Sequence, residues 1–163
     1  MTEQKKYYPK DHASVAWEKD EISFYLVKQR MGHWCGYCQF PKRPVIEQGY
    51  DGILTWVPVH GGITFADEYP EGVMVYGFDC AHAGDEDNPK VSDEAWLRSE
   101  AERLATNIQA VVKYEERYLL AETDKKKADV LEEYLNEVGS NAHSLVNDDV
   151  NFGAMIGLLC GRP

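Results

Sequence analysis

Apolar residues recur along this chain in two rhythms. Through residue 88 they come in short runs bounded by glycine, proline and polar clusters. After residue 92 they recur every three or four positions. Ile22-Ser23-Phe24-Tyr25-Leu26-Val27 has the β-branched and aromatic content of a strand. His33 to Phe40 predicts a second strand, ended by Pro41 and Pro44 because proline cannot donate to a β-ladder. Residues 53–60 predict a third strand and residues 73–80 a fourth. The connections between them are short, which favours antiparallel pairing; a parallel pair needs a long crossover. Residues 1–20 are polar and mixed and read as a loose, flexible arm.

Leu97, Ala101, Leu104, Ile108 and Val111 then follow four-three-four-three spacing, which lays one apolar stripe on a helix. Ser92 suits its N-cap, Asp93 and Glu94 suit the positive end of its dipole, and the helix is expected to reach about residue 121. A second helix is expected from Asp124, with Ala128, Leu131, Leu135 and Val138 as its stripe and Gly139 at its end. Phe152 to Cys160 is a short apolar segment, suited to a docked helix or a partner-binding end. Strands first and helices afterwards predict a single α+β domain over 1–163, mainly β over 21–88 and mainly α over 92–163. Its antiparallel sheet would have about four strands packed against two or three C-terminal helices.

Composition changes this picture little. Hydrophobic residues at 44% are enough to build a core. The net charge of −11 is spread over both halves and weighs against a nucleic-acid surface, which needs clustered Lys and Arg. It also permits an acidic face for a basic protein partner. No apolar run approaches the roughly 20 residues that span a bilayer, and the N-terminus lacks the apolar segment of a secretory signal. A cytoplasmic protein is expected, and its four cysteines are expected as free thiols or metal ligands.

The candidate chemistry sits where the third and fourth apolar runs end. His60-Gly61-Gly62-Ile63-Thr64 follows one, and Asp79-Cys80-Ala81-His82-Ala83-Gly84-Asp85 follows the other. If the two strands are neighbours, His60, Asp79, His82 and Asp85 converge. A histidine beside a carboxylate is held in one tautomer and can move a proton near neutral pH, which makes His60, His82 and Asp79 the candidate catalytic groups. The same side chains can bind a nucleobase or a ribose without any reaction. Gly61, Gly62 and the Thr64 hydroxyl complete the candidate ligand-binding set, since such turns allow close backbone approach.

Metal is the other option. Cys35-Gly36-Tyr37-Cys38 has the spacing of a zinc half-site, with Cys80 and His82 as further ligands and His60 and His33 in reserve. Residues three apart on a regular strand face opposite ways, so Gly36 would have to break the strand into a knuckle. Zinc is the one cofactor for which the sequence offers ligands. There is no P-loop, no dinucleotide fingerprint and no nucleophile elbow.

At Val59-His60-Gly61-Gly62-Ile63-Thr64 and Gly77-Phe78-Asp79-Cys80-Ala81-His82-Ala83-Gly84-Asp85 the chain resembles a family of small uncharacterised bacteriophage and bacterial proteins. The likeness covers roughly residues 32–112, including Gly32–Pro41 and the helical Glu100-Ala101-Glu102-Arg103-Leu104-Ala105. It implies a phage or mobile-element origin, and hence work in a host cytoplasm, and no settled activity. By analogy with small phage proteins, three readings follow. The first is a protein that binds a small polar, nucleotide-derived signal to counter host defence. The second is a histidine-based or metal-assisted hydrolase of a phosphodiester or related molecule. The third is an acidic inhibitor of a host protein, with the helices after residue 113 supplying a partner or homo-oligomer interface.

Overall fold

The computed structural model describes residues 6–42, 57–68 and 71–141, and only the backbone of 115, 116 and 138–141. Among the described residues five strands form one antiparallel sheet: β1 (Val15–Lys19), β2 (Ile22–Lys28), β3 (Trp34–Gln39), β4 (Phe65–Glu68) and β5 (Met74–Asp79). Their order across the sheet is β1-β2-β3-β5-β4. Two helices follow among the described residues, α1 (Glu94–Leu120) and α2 (Asp124–Asn141), and the apolar Phe152 to Cys160 segment lies outside those residues. The α+β class is as the apolar rhythms predict, with five strands instead of four.

The extra strand and two boundary shifts have local causes. Residues 6–19, expected as a loose arm, are folded. Lys19 pairs with Ile22 across a two-residue turn in which Asp20 and Glu21 both take positive φ, at 53° and 68°. That mirror-image turn matches the twist of a hairpin and turns β1 back along β2. The expected third strand divides: residues 53–56 lie outside the described residues, and 57–60 form bends and a turn. The strand at that edge is Phe65–Glu68 instead. The N-cap of α1 is Asp93, whose side chain accepts from Ala95 N–H at 3.0 Å, while Ser92 closes a short 3₁₀ turn from Pro89. Gly139 lies inside α2, which runs two residues past it to Asn141.

Both faces of the sheet are covered. On one, Phe24, Leu26, Cys38, Tyr76 and Phe78 pack against the α1 stripe, all five residues of which are buried. The α1 helix has 27 residues, about 40 Å at 1.5 Å each, and its distal half carries α2. Tyr114 meets Tyr134 edge-on at 6.0 Å, and Arg117 pairs with Glu133 at 2.7 Å. On the other face Tyr25, Val27, Cys35, Tyr37 and Val75 form a second buried cluster, covered by Tyr8, Ala13 and Phe65. No helix among the described residues is long and apolar enough to cross a membrane.

The β3–β5 pair has its own packing device. Gly36 stands opposite Phe78, and Gly77 stands opposite Tyr37. A Cβ on either glycine would meet the facing ring at about 2.5 Å, so each aromatic lies flat over a glycine, one on each face. This fixes the register that brings Asp79 to the end of β5 beside Trp34 and Cys35.

Candidate functional site

The His60 segment is held to α1 by its backbone. Val57 and Val59 are wholly buried in the core. Between them the Pro58 carbonyl accepts from Asn107 Nδ2 at 2.8 Å, and the His60 N–H donates to Glu100 Oε1 at 2.7 Å. Arg103 binds the Glu100 carboxylate through two nitrogens, at 2.6 and 3.1 Å, which balances its buried charge. The chain then turns, with Gly62 N–H donating to Val59 C=O at 2.8 Å and Gly61 at φ 69°. His60 is thus presented from a rigid base.

The second segment leaves β5 at Asp79. Cys80 N–H still joins the ladder, donating to Trp34 C=O at 2.9 Å. Asp79 Oδ1 accepts from Ala81 N–H at 3.0 Å. Gly84, at φ 91°, starts a 3₁₀ turn over Asp85–Asp87 that buries the Asp85 side chain. Asp85 Oδ2 accepts from the His82 N–H at 2.9 Å.

The two segments meet at Asp85. Its carboxylate oxygens stand 2.9 and 3.1 Å from His60 Nε2. A carboxylate accepts only, so the His60 proton sits on Nε2 and leaves Nδ1 as the basic nitrogen. Trp96 backs the His60 ring edge-on at 5.3 Å, and the His82 ring lies 5.7 Å from it, also edge-on. His82 Nε2 is 3.2 Å from Asp79 Oδ1, yet among the described residues it makes no hydrogen bond, and it is buried. That distance suits an ion pair when His82 is charged; the angle does not suit a hydrogen bond. The nitrogen rests against Gly61, where a Cβ would collide with it.

His60, Asp79, His82 and Asp85 are therefore brought together, with Gly61 beneath them. Thr64 is not: its side chain is exposed, and its N–H donates to Gly77 C=O at 2.9 Å as an extension of the sheet. Gly62 serves the turn. Cys35 and Cys38 lie in the two different hydrophobic clusters, on opposite faces of an unbroken β3, so Gly36 forms no knuckle. Among the described residues no group of three or more His, Cys, Asp or Glu is placed to hold a metal ion. Burial pushes the Cys80 thiol up to about 12, with Asp85 the largest charged contributor, and burial raises Cys35 and Cys38 as well. These are protonated, packed thiols and poor nucleophiles at neutral pH.

Glu100, Asn107 and Trp96 belong to the site and do not stand out in the sequence as site residues. A signal exists for two of them. Glu100 and Asn107 fall beside Leu97, Ala101, Leu104 and Ile108 on the buried stripe of α1. A polar residue on such a stripe needs a partner, and the partner here is the His60 segment.

No family model, curated protein or solved structure matches the chain.

Proposed function

We propose that this protein binds a small polar ligand in the cleft of about 470 Å³ lined by His60, Gly61, His82, Gly84, Asp85 and Asn88. One observation carries this reading. Asp85 is buried, and through one carboxylate it fixes both the His60 ring and the His82 backbone. Such an arrangement presents an oriented basic nitrogen and a set of hydrogen-bond acceptors to whatever enters. With the phage-type resemblance, the reading becomes capture of a nucleotide-derived signal of host defence.

The His60–Asp85 contact also favours a second reading. A carboxylate on one imidazole nitrogen leaves the other as a general base, and a hydrolase could use it on water. Recovery of the bound molecule separates the two. Small molecules co-purifying with the full chain are released by denaturation and identified by mass spectrometry, beside protein carrying Asp85→Asn. An intact ligand lost from the variant supports capture. A ligand recovered only as its cleavage products supports hydrolysis. Equal recovery from both proteins would sink the site.

A further inference from the structure

A second and larger cavity, about 540 Å³, adjoins this cleft. His82, Asp85 and Asn88 line both, so they form a partition between two chambers. Asp85 and Asn88 are fixed in it by backbone partners: Asn88 Oδ1 accepts from Lys90 N–H at 3.1 Å. The His82 ring is held by packing and, when charged, by Asp79 Oδ1 at 3.2 Å from its buried Nε2, which makes no hydrogen bond among the described residues. A ligand that offers that nitrogen a hydrogen-bond partner therefore favours a shift of the ring.

The two chambers differ in chemistry. The larger has planar walls in Trp34 and His33 and an apolar side at Pro89 and Val91. Its exposed rim carries Glu86 and Asp87. The smaller offers His60, Asp85 and Asn88, a set rich in acceptors. Among the described residues neither is lined by a lysine or an arginine. A phosphate entering either chamber would meet carboxylates; Lys28, whose Nζ lies 6.0 Å from the Trp34 ring centroid, lines neither of them. A flat ring bearing amine donors or positive charge suits the Trp34 side. Hydroxyl groups suit the His60 side.

We infer that the two chambers are halves of one site for a nucleoside-like molecule of neutral or positive charge. Its planar, amine-bearing ring lies on the Trp34 side of His82, its hydroxyls lie on the His60 side, and no position is built for phosphate. This rests on the ligand-binding proposal and adds the class of ligand. It assigns recognition of a nucleotide-derived signal to the nucleoside part.

The test is titration of the full chain, with ¹⁵N-labelled histidine and tryptophan, by three probes: adenosine, the cation nicotinamide riboside, and adenosine 5′-monophosphate. Adenosine and nicotinamide riboside should each move the Trp34 indole and the His60 imidazole signals together. The monophosphate should bind at least tenfold more weakly than adenosine. The double variant Glu86→Gln/Asp87→Asn, altered only at exposed positions, should narrow that gap severalfold. Monophosphate binding as tight as adenosine overturns the inference, as does a gap unchanged in the variant. Shifts at His60 without Trp34 overturn the two-chamber site and leave the binding cleft standing. Silence of both residues with all three probes overturns the nucleoside class, while co-purification with and without Asp85→Asn decides the binding reading separately.

Discussion

Asp85 is the residue on which the site turns, and its replacement separates charge from shape. Asp85→Asn keeps the volume and leaves one oxygen for the His82 N–H, but it turns an NH₂ group toward His60 Nε2. That nitrogen must then become an acceptor, so the ring proton moves to Nδ1. The expected result is a reversed His60 tautomer in ¹⁵N spectra and a loss of about 1–3 kcal/mol in urea unfolding. An unchanged tautomer would mean that Asp85 does not set the ring. Gly61 gives a steric counterpart. Gly61→Ala strains a backbone at φ 69° and drives a methyl into His82 Nε2. Stability should fall by about 1–3 kcal/mol, and the His82 ring signals should shift while those of Tyr114 and Tyr134 stay in place. From sequence, His60 and Asp85 were legible as members of two glycine-bounded segments. Their contact spans 25 positions, and no local pattern encodes it. Glu100 was legible only as a polar residue on the buried stripe of α1; its partner, the His60 N–H, lies 40 positions away, and no local pattern names it.

At the scale of elements, the helices were the clearest in the sequence, since only a helix gathers residues at that spacing onto one buried face. β1 was not legible. It is a short edge strand in which only Val15 and Trp17 are even partly buried, too little alternation to register. Its turn can be improved. Asp20 and Glu21 hold a conformation that Asn-Gly adopts with less strain, so the double change should stabilise the fold by about 0.4–1 kcal/mol in thermal or urea unfolding. The α1–α2 pair carries a pH dependence of known sign. Arg117 holds the Glu133 carboxyl below its ordinary value, and a hydrogen bond from Tyr114, then Lys113, holds Glu137 low. A lowered folded value gives stability that is present above the unfolded value and lost as pH falls through the folded one. Lys113 and Arg117 are raised, chiefly by Glu137 and Glu133, so their share persists until pH rises past the ordinary lysine range. Pairing should therefore be flat through neutrality and weaken below about pH 4.5. Tyrosine ring signals of α2 followed from pH 7 to 3 check this, and 0.5 M salt should blunt the change because the pairs are exposed. Loss of pairing at pH 6 would contradict the assignment.

For the whole molecule, what stands out is that a sheet with helices on one face has its other face buried too. An antiparallel sheet can leave one face to water, but here Tyr25, Val27, Tyr37 and Val75 lie under the chain from Tyr8 to Ala13. Tyr8 Oη and Tyr25 Oη both reach Gln39 Oε1, at 3.2 and 3.3 Å. The N-terminal segment is thus a third layer, invisible in sequence because its own composition is polar and its cover comes from a few residues. The His60 part of the candidate site lies on the helix side, against Trp96 and Glu100 of α1, so it should respond independently of the other face. Tyr8→Ala removes a half-buried ring and should cost roughly 1–2 kcal/mol, from partial loss of a buried aromatic's transfer energy. Tyr8→Phe should cost less, about 0.5–1.5 kcal/mol for the hydrogen bond alone. Neither change should move the His60 ring signals or its tautomer, because among the described residues no polar contact of His60 reaches that face. A Tyr8→Ala protein with unaltered stability would show that the segment merely rests on the sheet; one with altered His60 signals would show that the faces are coupled through β3 and β5.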